Sequence, residues 1–313
     1  MKIRHHSLSL VAAVVAALSL LAAGCGDSSS EDAQALLDKA FSKTVDSGDL
    51  DLKLAANIDG LESFSGPLSL DLSGPFNSGD EKTLPIIDWD ITAKGGGQSL
   101  DAGLTVTDDN AYVEYQGEAY EVGAELFAQF ERQYQAQQPD KSADEPTLKS
   151  LGLDPTTWLE DPQVEDGEEI GGDPTQAVTG SVDVEKVVRD IYSVTKSDAF
   201  RQQLESQGQT VPEIPEPSDE DIEKIADAID KLDIEINIDE DDIARRLSVV
   251  SDFTVPEDTG DGQIKGGSLE VDYTLVEVGT EPEIEAPENA KPLSELTQQF
   301  GPLLGGGVPQ TTP

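Results

Sequence analysis

From residue 49 the chain alternates between apolar and polar side chains with a period of two. Leu50, Leu52, Leu54, Ala56 and Ile58 share one parity, and Asp49, Asp51, Lys53, Ala55 and Asn57 share the other. Successive side chains of a strand point to opposite faces, so this alternation predicts a half-buried strand over 49–58. The pattern repeats at Leu68, Leu70 and Leu72, and again at Ile87, Trp89, Ile91 and Ala93. After Gly95-Gly96-Gly97 it returns at Leu100, Ala102, Leu104 and Val106, and after Asp108-Asp109-Asn110 at Ala111, Val113 and Tyr115. Tyr120 and Val122 follow Gln116-Gly117-Glu118. Short turns between such strands predict an antiparallel meander with one apolar and one polar face. Further strands are predicted over 164–170 and 176–182, around Ile234, Ile236 and Ile238, through Leu247, Val249 and Phe253, and from Leu269 to Leu275.

Other stretches carry the helical period. Ala33, Leu36, Leu37, Ala40, Phe41, Thr44 and Val45 fall on one side of a helix over 31–46, which Ser47-Gly48 would end. Leu126, Phe127, Phe130 and Tyr134 predict a second helix over 123–137, followed by a polar loop over 138–146. The run 151–159 (LGLDPTTWL) reads as a short apolar helix with Pro155 in its first turn. Val184, Val187, Val188, Ile191, Tyr192 and Thr195 mark a longer one, before a Pro-rich break over 206–217. Ser218-Asp219-Glu220-Asp221 has capping-box spacing, and Ile222, Ile225, Ala226 and Ile229 continue that helix.

The N-terminus has a separate logic. Lys2 and Arg4 precede an apolar run from Leu8 to Ala23, and Gly24 leads to Cys25, the only cysteine in 313 residues. A basic start, an apolar stretch and small residues make a secretory signal. The cysteine directly after them resembles a bacterial lipobox, with Ala22 standing where Leu is usual. That resemblance implies cleavage after residue 24, a diacylglyceryl group on Cys25 and a polar tether over 25–30. Two acyl chains hold a protein on a membrane stably. The expected location is therefore the extracytoplasmic face of the cell membrane.

Composition then removes most chemistries. With 64 acidic against 20 basic residues, the net charge of −44 argues against nucleic acid and against anionic headgroups on the general surface. The two histidines, His5 and His6, lie in the signal. Ser-His-Asp and Cys-His catalysis and the common zinc sets are thereby excluded from the segment after it. The acidic stretches Asp239-Glu240-Asp241-Asp242 and Glu257 to Gly262 read as solvated turns, and Asp88 and Asp90 as solvation of a polar strand face. No cofactor, metal site or enzymatic activity is expected.

Several short motifs, in this order, resemble the LppX/LprG-type lipoproteins of actinobacteria. They are Ala35-Leu36-Leu37-Asp38-Lys39-Ala40, Val106-Thr107-Asp108-Asp109-Asn110-Ala111-Tyr112-Val113, Val178-Thr179-Gly180-Ser181-Val182-Asp183-Val184, and Glu277-Val278-Gly279 with Ile284-Glu285-Ala286-Pro287. The likeness covers residues 31–292 and departs in the extreme acidity and in an insert near Phe200–Ser218. It implies an α+β fold of the LolA/LolB kind, a strongly curved antiparallel half-barrel sheet partly wrapped around several helices. Residues 293–313 would be a flexible tail. It further implies a cavity for the acyl chains of a lipid or glycolipid. Its lining would come from Leu50, Leu52, Leu54, Leu68, Leu70, Leu72, Trp89, Ile91, Leu104, Val106, Val187 and Ile191. A dry, collapsed version of the same fold would instead be an interaction or sensor module of the cell envelope. A carboxylate-pair hydrolase has no motif here.

Overall fold

The computed structural model describes residues 30–60, 66–79, 83–137, 155–196, 218–255 and 265–300. The lipobox, Cys25, residues 200–217 of the expected insert and the loop over 138–146 lie outside them. Among the described residues no helix is long and apolar enough to cross a membrane.

Twelve strands form one unclosed, curved sheet. The first six are β1 (Ser47–Asp59), β2 (Leu68–Asn77), β3 (Ile86–Gly95), β4 (Gln98–Val106), β5 (Ala111–Tyr115) and β6 (Glu118–Glu121). Then come β7 (Leu159–Asp166), β8 (Thr175–Val182), β9 (Ile229–Asp239), β10 (Ala244–Thr254), β11 (Gly266–Val276) and β12 (Lys291–Pro292). The order across the sheet is β12-β6-β5-β4-β3-β2-β1-β11-β10-β9-β8-β7. The meander expected from the alternation is present as β1 to β6 in sequence order. β1 is the hinge of the topology, pairing antiparallel with β2 on one side and with β11 on the other. β12 pairs in parallel with β6.

Five α-helices are described: α1 (Ser30–Ala40), α2 (Ala124–Gln137), α3 (Val184–Lys196), α4 (Asp219–Ala228) and α5 (Leu293–Phe300). The first is shorter than its periodicity suggested: the chain leaves the helix after Ala40, and β1 already begins at Ser47. Of the apolar run ending at Leu159, the described part is helical as a 3-10 turn, Pro155–Thr157, and residues 151–154 lie outside the described residues. Leu159 itself opens β7 and pairs with Val182. Ile229, read as the end of a helix, is instead the first residue of β9 and pairs with Phe253. The expected strand over 164–170 ends at Asp166, and Ile170 makes only an isolated bridge to Asp173. The segment expected to be a tail from 293 opens with α5.

The capping box at α4 is present as its spacing predicts. Ser218 Oγ accepts from the Asp221 backbone N–H, and the Asp221 carboxylate accepts from the Ser218 backbone N–H and hydroxyl. These hydrogen bonds, the hydroxyl's foremost, hold the Asp221 carboxyl below its usual range. Glycine is required at Gly74, whose φ is +137° and where a Cβ would lie 2.0 Å from the Asp88 carbonyl oxygen.

Register carries the apolar parity unbroken across the sheet. One cross-strand row runs Tyr115, Ala102, Ile91, Leu72, Leu52, Tyr273, Leu247, Ile236, Val178 and Val164, from β5 to β7. The row is filled unevenly. At the β7–β9 wing α1 packs Ala33, Leu37 and Ala40 against Leu159, Val178, Ile234, Ile236 and Ile238 in a closed core. Val178 and Ile238 are 0% exposed there and Ile236 is 1%. Toward β1, β2 and β3 the same row is only half-buried.

The polar parity is stitched by ion pairs. Arg246 donates two bonds to Asp272 and one to Glu168 across the outer face. Arg245, 3% exposed, sits in a register shift of β10. It donates to Asp239, to Asp173 and to the Leu275 carbonyl.

Candidate functional site: two apolar grooves beside an open leucine face

The apolar face has two ends. The first carries the β1 C-terminus, the β3–β4 turn and the β9 N-terminus. The second carries the β1 N-terminus, the β4–β5 turn and the β9–β10 turn.

At the second end, α2 lies over β3, β4 and β5. Its placement follows from a small polar clasp. Asn110, in the β4–β5 turn, accepts on Oδ1 from the backbone N–H groups of Ala111 and Gly123. This ties the turn to the residue that starts α2, and Phe127 N–H closes the first helical turn on the Gly123 carbonyl. Phe127 is buried. Beneath the helix a groove of 660 Å³ runs between Ile87, Leu104, Val106 and Val113 on the sheet and Phe127 and Phe130 on the helix. Its polar lining is slight, with Gln133 and Tyr134 on the helix side. Leu293, at the start of α5, closes one flank. Lys291 anchors that segment by donating to Glu118, whose carboxyl is thereby held below its usual range, with Tyr120 O–H adding a second hydrogen bond.

At the first end, α4 descends into β9 and leaves a groove of 540 Å³. Ile225 lines it from α4, and Ile229, Phe253, Val255 and Leu269 line it from the sheet side. Lys224 and Asp221 stand at its mouth. Both volumes fall in the range of about 300–1,000 Å³ typical of small-ligand sites.

Between the grooves lie the leucines singled out from sequence. Leu52 pairs with Leu72 and Leu54 with Leu70, while Leu50 stands beside Leu275 and Leu68 beside Ala56. Ile91 continues the row on β3, and Trp89 pairs with Leu104. All of these except the buried Leu275 are half-buried: neither sealed in a core nor fully in water. Trp89 Nε1 is buried with no acceptor among the described residues. A buried indole N–H normally finds a partner, so this atom is a donor in waiting. Tyr273, in the same row, has its phenol pushed up from the ordinary value by burial. The surroundings therefore disfavour charge.

Of the expected lining residues, Leu104 and Val106 border the α2 groove; the other sheet residues line the strip between the grooves. Val187 is half-buried on α3, which packs against α4, and it borders neither groove. The side chain of Ile191 is outside the described set. Sequence reasoning missed Ile87, Val113, Phe127 and Phe130 as lining, although each had been placed on an apolar side. The remaining signal was their position next to the one helix that follows the meander directly.

The arrangement offers apolar walls and, on the strip between the grooves, an uncommitted donor at Trp89 Nε1. Burying each CH₂ of an alkyl chain in such a groove contributes about 0.8 kcal/mol. On the polar face Asp88 accepts from the Thr105 hydroxyl and is exposed. The turn Asp239–Asp242 is more ordered than a solvated turn. Asp239 is buried, accepting from the N–H groups of Asp241 and Ile243 as well as from Arg245. The stretch from Glu257 to Gly262 is outside the described residues.

No family model and no curated protein matches the sequence. Among solved structures, LprF from Mycobacterium bovis is similar over 84% of this chain and 99% of its own, at 16% identity and a TM-score of 0.39. A DUF1329 family protein from Desulfovibrio piger ATCC 29098 is similar over 80% of this chain and 93% of its own, at 12% identity and a TM-score of 0.19. Superpositions this loose say nothing about a ligand.

Proposed function

We propose that this chain is an extracytoplasmic lipoprotein, anchored through Cys25, that binds the acyl chains of a lipid or glycolipid for transport or presentation in the cell envelope. The observation that carries the reading is the half-buried apolar row. The stretch from Leu52 and Leu72 to Ile91 continues the closed core at Ile236, yet among the described residues it lacks the cover that α1 gives that core. Apolar surface left in water costs about 25 cal/mol per Å², so a long alkyl chain laid along the row and into the grooves removes that cost. Trp89 Nε1 supplies a donor for an ester or amide carbonyl of the ligand. Catalysis forms no part of this reading.

A collapsed interaction or sensor module is the second reading, and the filled α1 wing favours it locally. The two readings separate on one experiment. The chain is purified without detergent, extracted with organic solvent and analysed by mass spectrometry. The emptied protein is then titrated with a fluorescent fatty acid. Co-purified lipid and saturable uptake are expected. A lipid-free extract together with no uptake refutes the carrier reading.

A further inference from the structure

We infer that the C-terminal segment following α5 docks Leu303 and Leu304 into the α2 groove, so that the chain carries its own occupant for that groove. The docking stands apart from the lipid reading. The competition with an acyl chain that it implies rests on that reading.

Three observations point to this occupant. The first is composition. No charged residue occurs from Leu296 to Pro313, the longest uncharged run after Cys25 in a chain of net charge −44. A charged segment would have to shed its hydration to enter a groove walled by Leu104, Val106 and Val113. This one brings no charge, and it brings two adjacent leucines. The groove in turn has apolar surface left to cover, since Phe130 in its wall is 46% exposed.

The second is the point of departure. α5 packs against β6, and Leu293 in its first turn is already part of the groove's lining. Leu293, Leu296 and Thr297 are half-buried on one side of the helix, while Ser294, Glu295 and Gln298 are exposed. Gly301-Pro302 directly after Phe300 is a helix stop signal, because glycine accepts a left-handed cap and proline cannot continue the ladder. The sequence therefore ends α5 immediately before the two leucines.

The third is reach. Phe300 is seven residues from Leu293, about 10.5 Å along a helix at ~1.5 Å per residue. From Phe300 to Leu304 is four residues, which extend to about 14 Å at ~3.6 Å per residue. Leu304 can thus return to the Leu293 flank whichever way α5 leads. The α4 groove starts at β11, six strand steps from β6 or about 29 Å along the sheet at ~4.8 Å per step. Charged Lys224 and Asp221 also stand at its mouth. The α2 groove is the near and uncharged one. On so short a link the leucines are presented at an effective concentration on the order of millimolar. An incoming acyl chain has to displace them, which lowers its apparent affinity.

The test uses the full chain stripped of bound lipid, with methyl-labelled Ile, Leu and Val observed by NMR. Two forms are compared with it: Leu303→Asp combined with Leu304→Asp, and a chain ended at Phe300. Both should shift the methyl resonances of Val106 and Val113 and leave those of Ile225 and Leu269, in the α4 groove, in place. Both should also bind the fluorescent fatty acid several-fold more tightly than the full chain. Unmoved methyls in the α2 groove overturn the docking, and so do shifts confined to the α4 groove. Shifts that grow with protein concentration mean that the segment enters the groove of a second copy, and overturn docking within one chain. Moved methyls with unchanged fatty-acid affinity overturn the competition. Moved methyls with no uptake by any form refute the carrier reading and leave the docking standing.

Discussion

Ile236 and Leu72 occupy the same cross-strand row, yet truncating them should have very different costs. Ile236 is 1% exposed within the closed core under α1. Ile236→Ala removes three carbons, worth about 2.4 kcal/mol of transfer energy at ~0.8 per CH₂, and leaves a void that the core cannot fully close. The expected loss is about 2–5 kcal/mol. Leu72→Ala removes the same three carbons from a half-buried site bordering open space. Part of that transfer energy was never gained, and no enclosed void forms. About 1 kcal/mol is expected for the emptied protein. Urea unfolding of both variants, followed by circular dichroism on delipidated material, measures the two costs. Saturating fatty acid should stabilise the wild type by about 2.7 kcal/mol at a hundredfold excess over Kd, and the Leu72 variant by less. If Leu72→Ala costs as much as Ile236→Ala without ligand, the row is sealed throughout, and the open interior on which the carrier reading depends is wrong.

Three further outcomes follow from the geometry. Arg245→Met leaves the buried Asp239 carboxylate without its cation and should cost about 3–5 kcal/mol in urea unfolding, with part regained on adding Asp239→Asn; a loss under about 1 kcal/mol would refute the role given to that ion pair. Asp49 has its carboxyl raised by burial first, then by Glu277 and Asp51. The folded state therefore binds its proton more tightly than the unfolded state does. Ionisation at neutral pH opposes folding, and that penalty disappears as pH falls below the ordinary value of 3.8. Asp49→Asn should thus raise the urea midpoint at pH 7 and leave it unchanged at acid pH; the opposite trend would reverse the sign. Val113→Asp puts an unpaired charge into the α2 groove and should weaken uptake of the fluorescent fatty acid at least about tenfold, since desolvating a carboxylate outweighs several CH₂ contacts; unchanged affinity would remove that groove from the binding path.

Much of the sheet was legible because a one-residue slip would turn every leucine outward. The alternation at Leu50, Leu52 and Leu54 therefore specified both strand and face. The capping box at Ser218 was legible for a similar reason, as its residues bond to each other locally. Short apolar runs were not: Trp158 and Leu159 carry no period of their own. Their state was decided by distant partners, Asp190 accepting from the Trp158 indole and Val182 pairing with Leu159. Ile229 continued the spacing of Ile222 and Ile225, but its place opposite Phe253 outweighed the helical pattern. Which part of the apolar face is covered was not readable, because cover comes from where α1, α2 and α4 land. Two apolar stretches of equal greasiness, one under α1 and one beside it, look identical in the sequence.

An unclosed sheet exposes two margins with backbone groups able to recruit a neighbouring chain, and both are blunted here. On one side β12 has two residues, Lys291 and Pro292, and proline brings no N–H to a growing ladder. On the other, β7 is interrupted at Pro162 by a register shift, with Asp161 at a φ of +47°. Bulges, prolines and brevity at such borders are how native sheets resist edge-to-edge polymerisation. On the proposed anchoring, a chain held at high local density would meet copies of itself far more often than a freely diffusing one, and these two spoiled margins would oppose their pairing edge to edge.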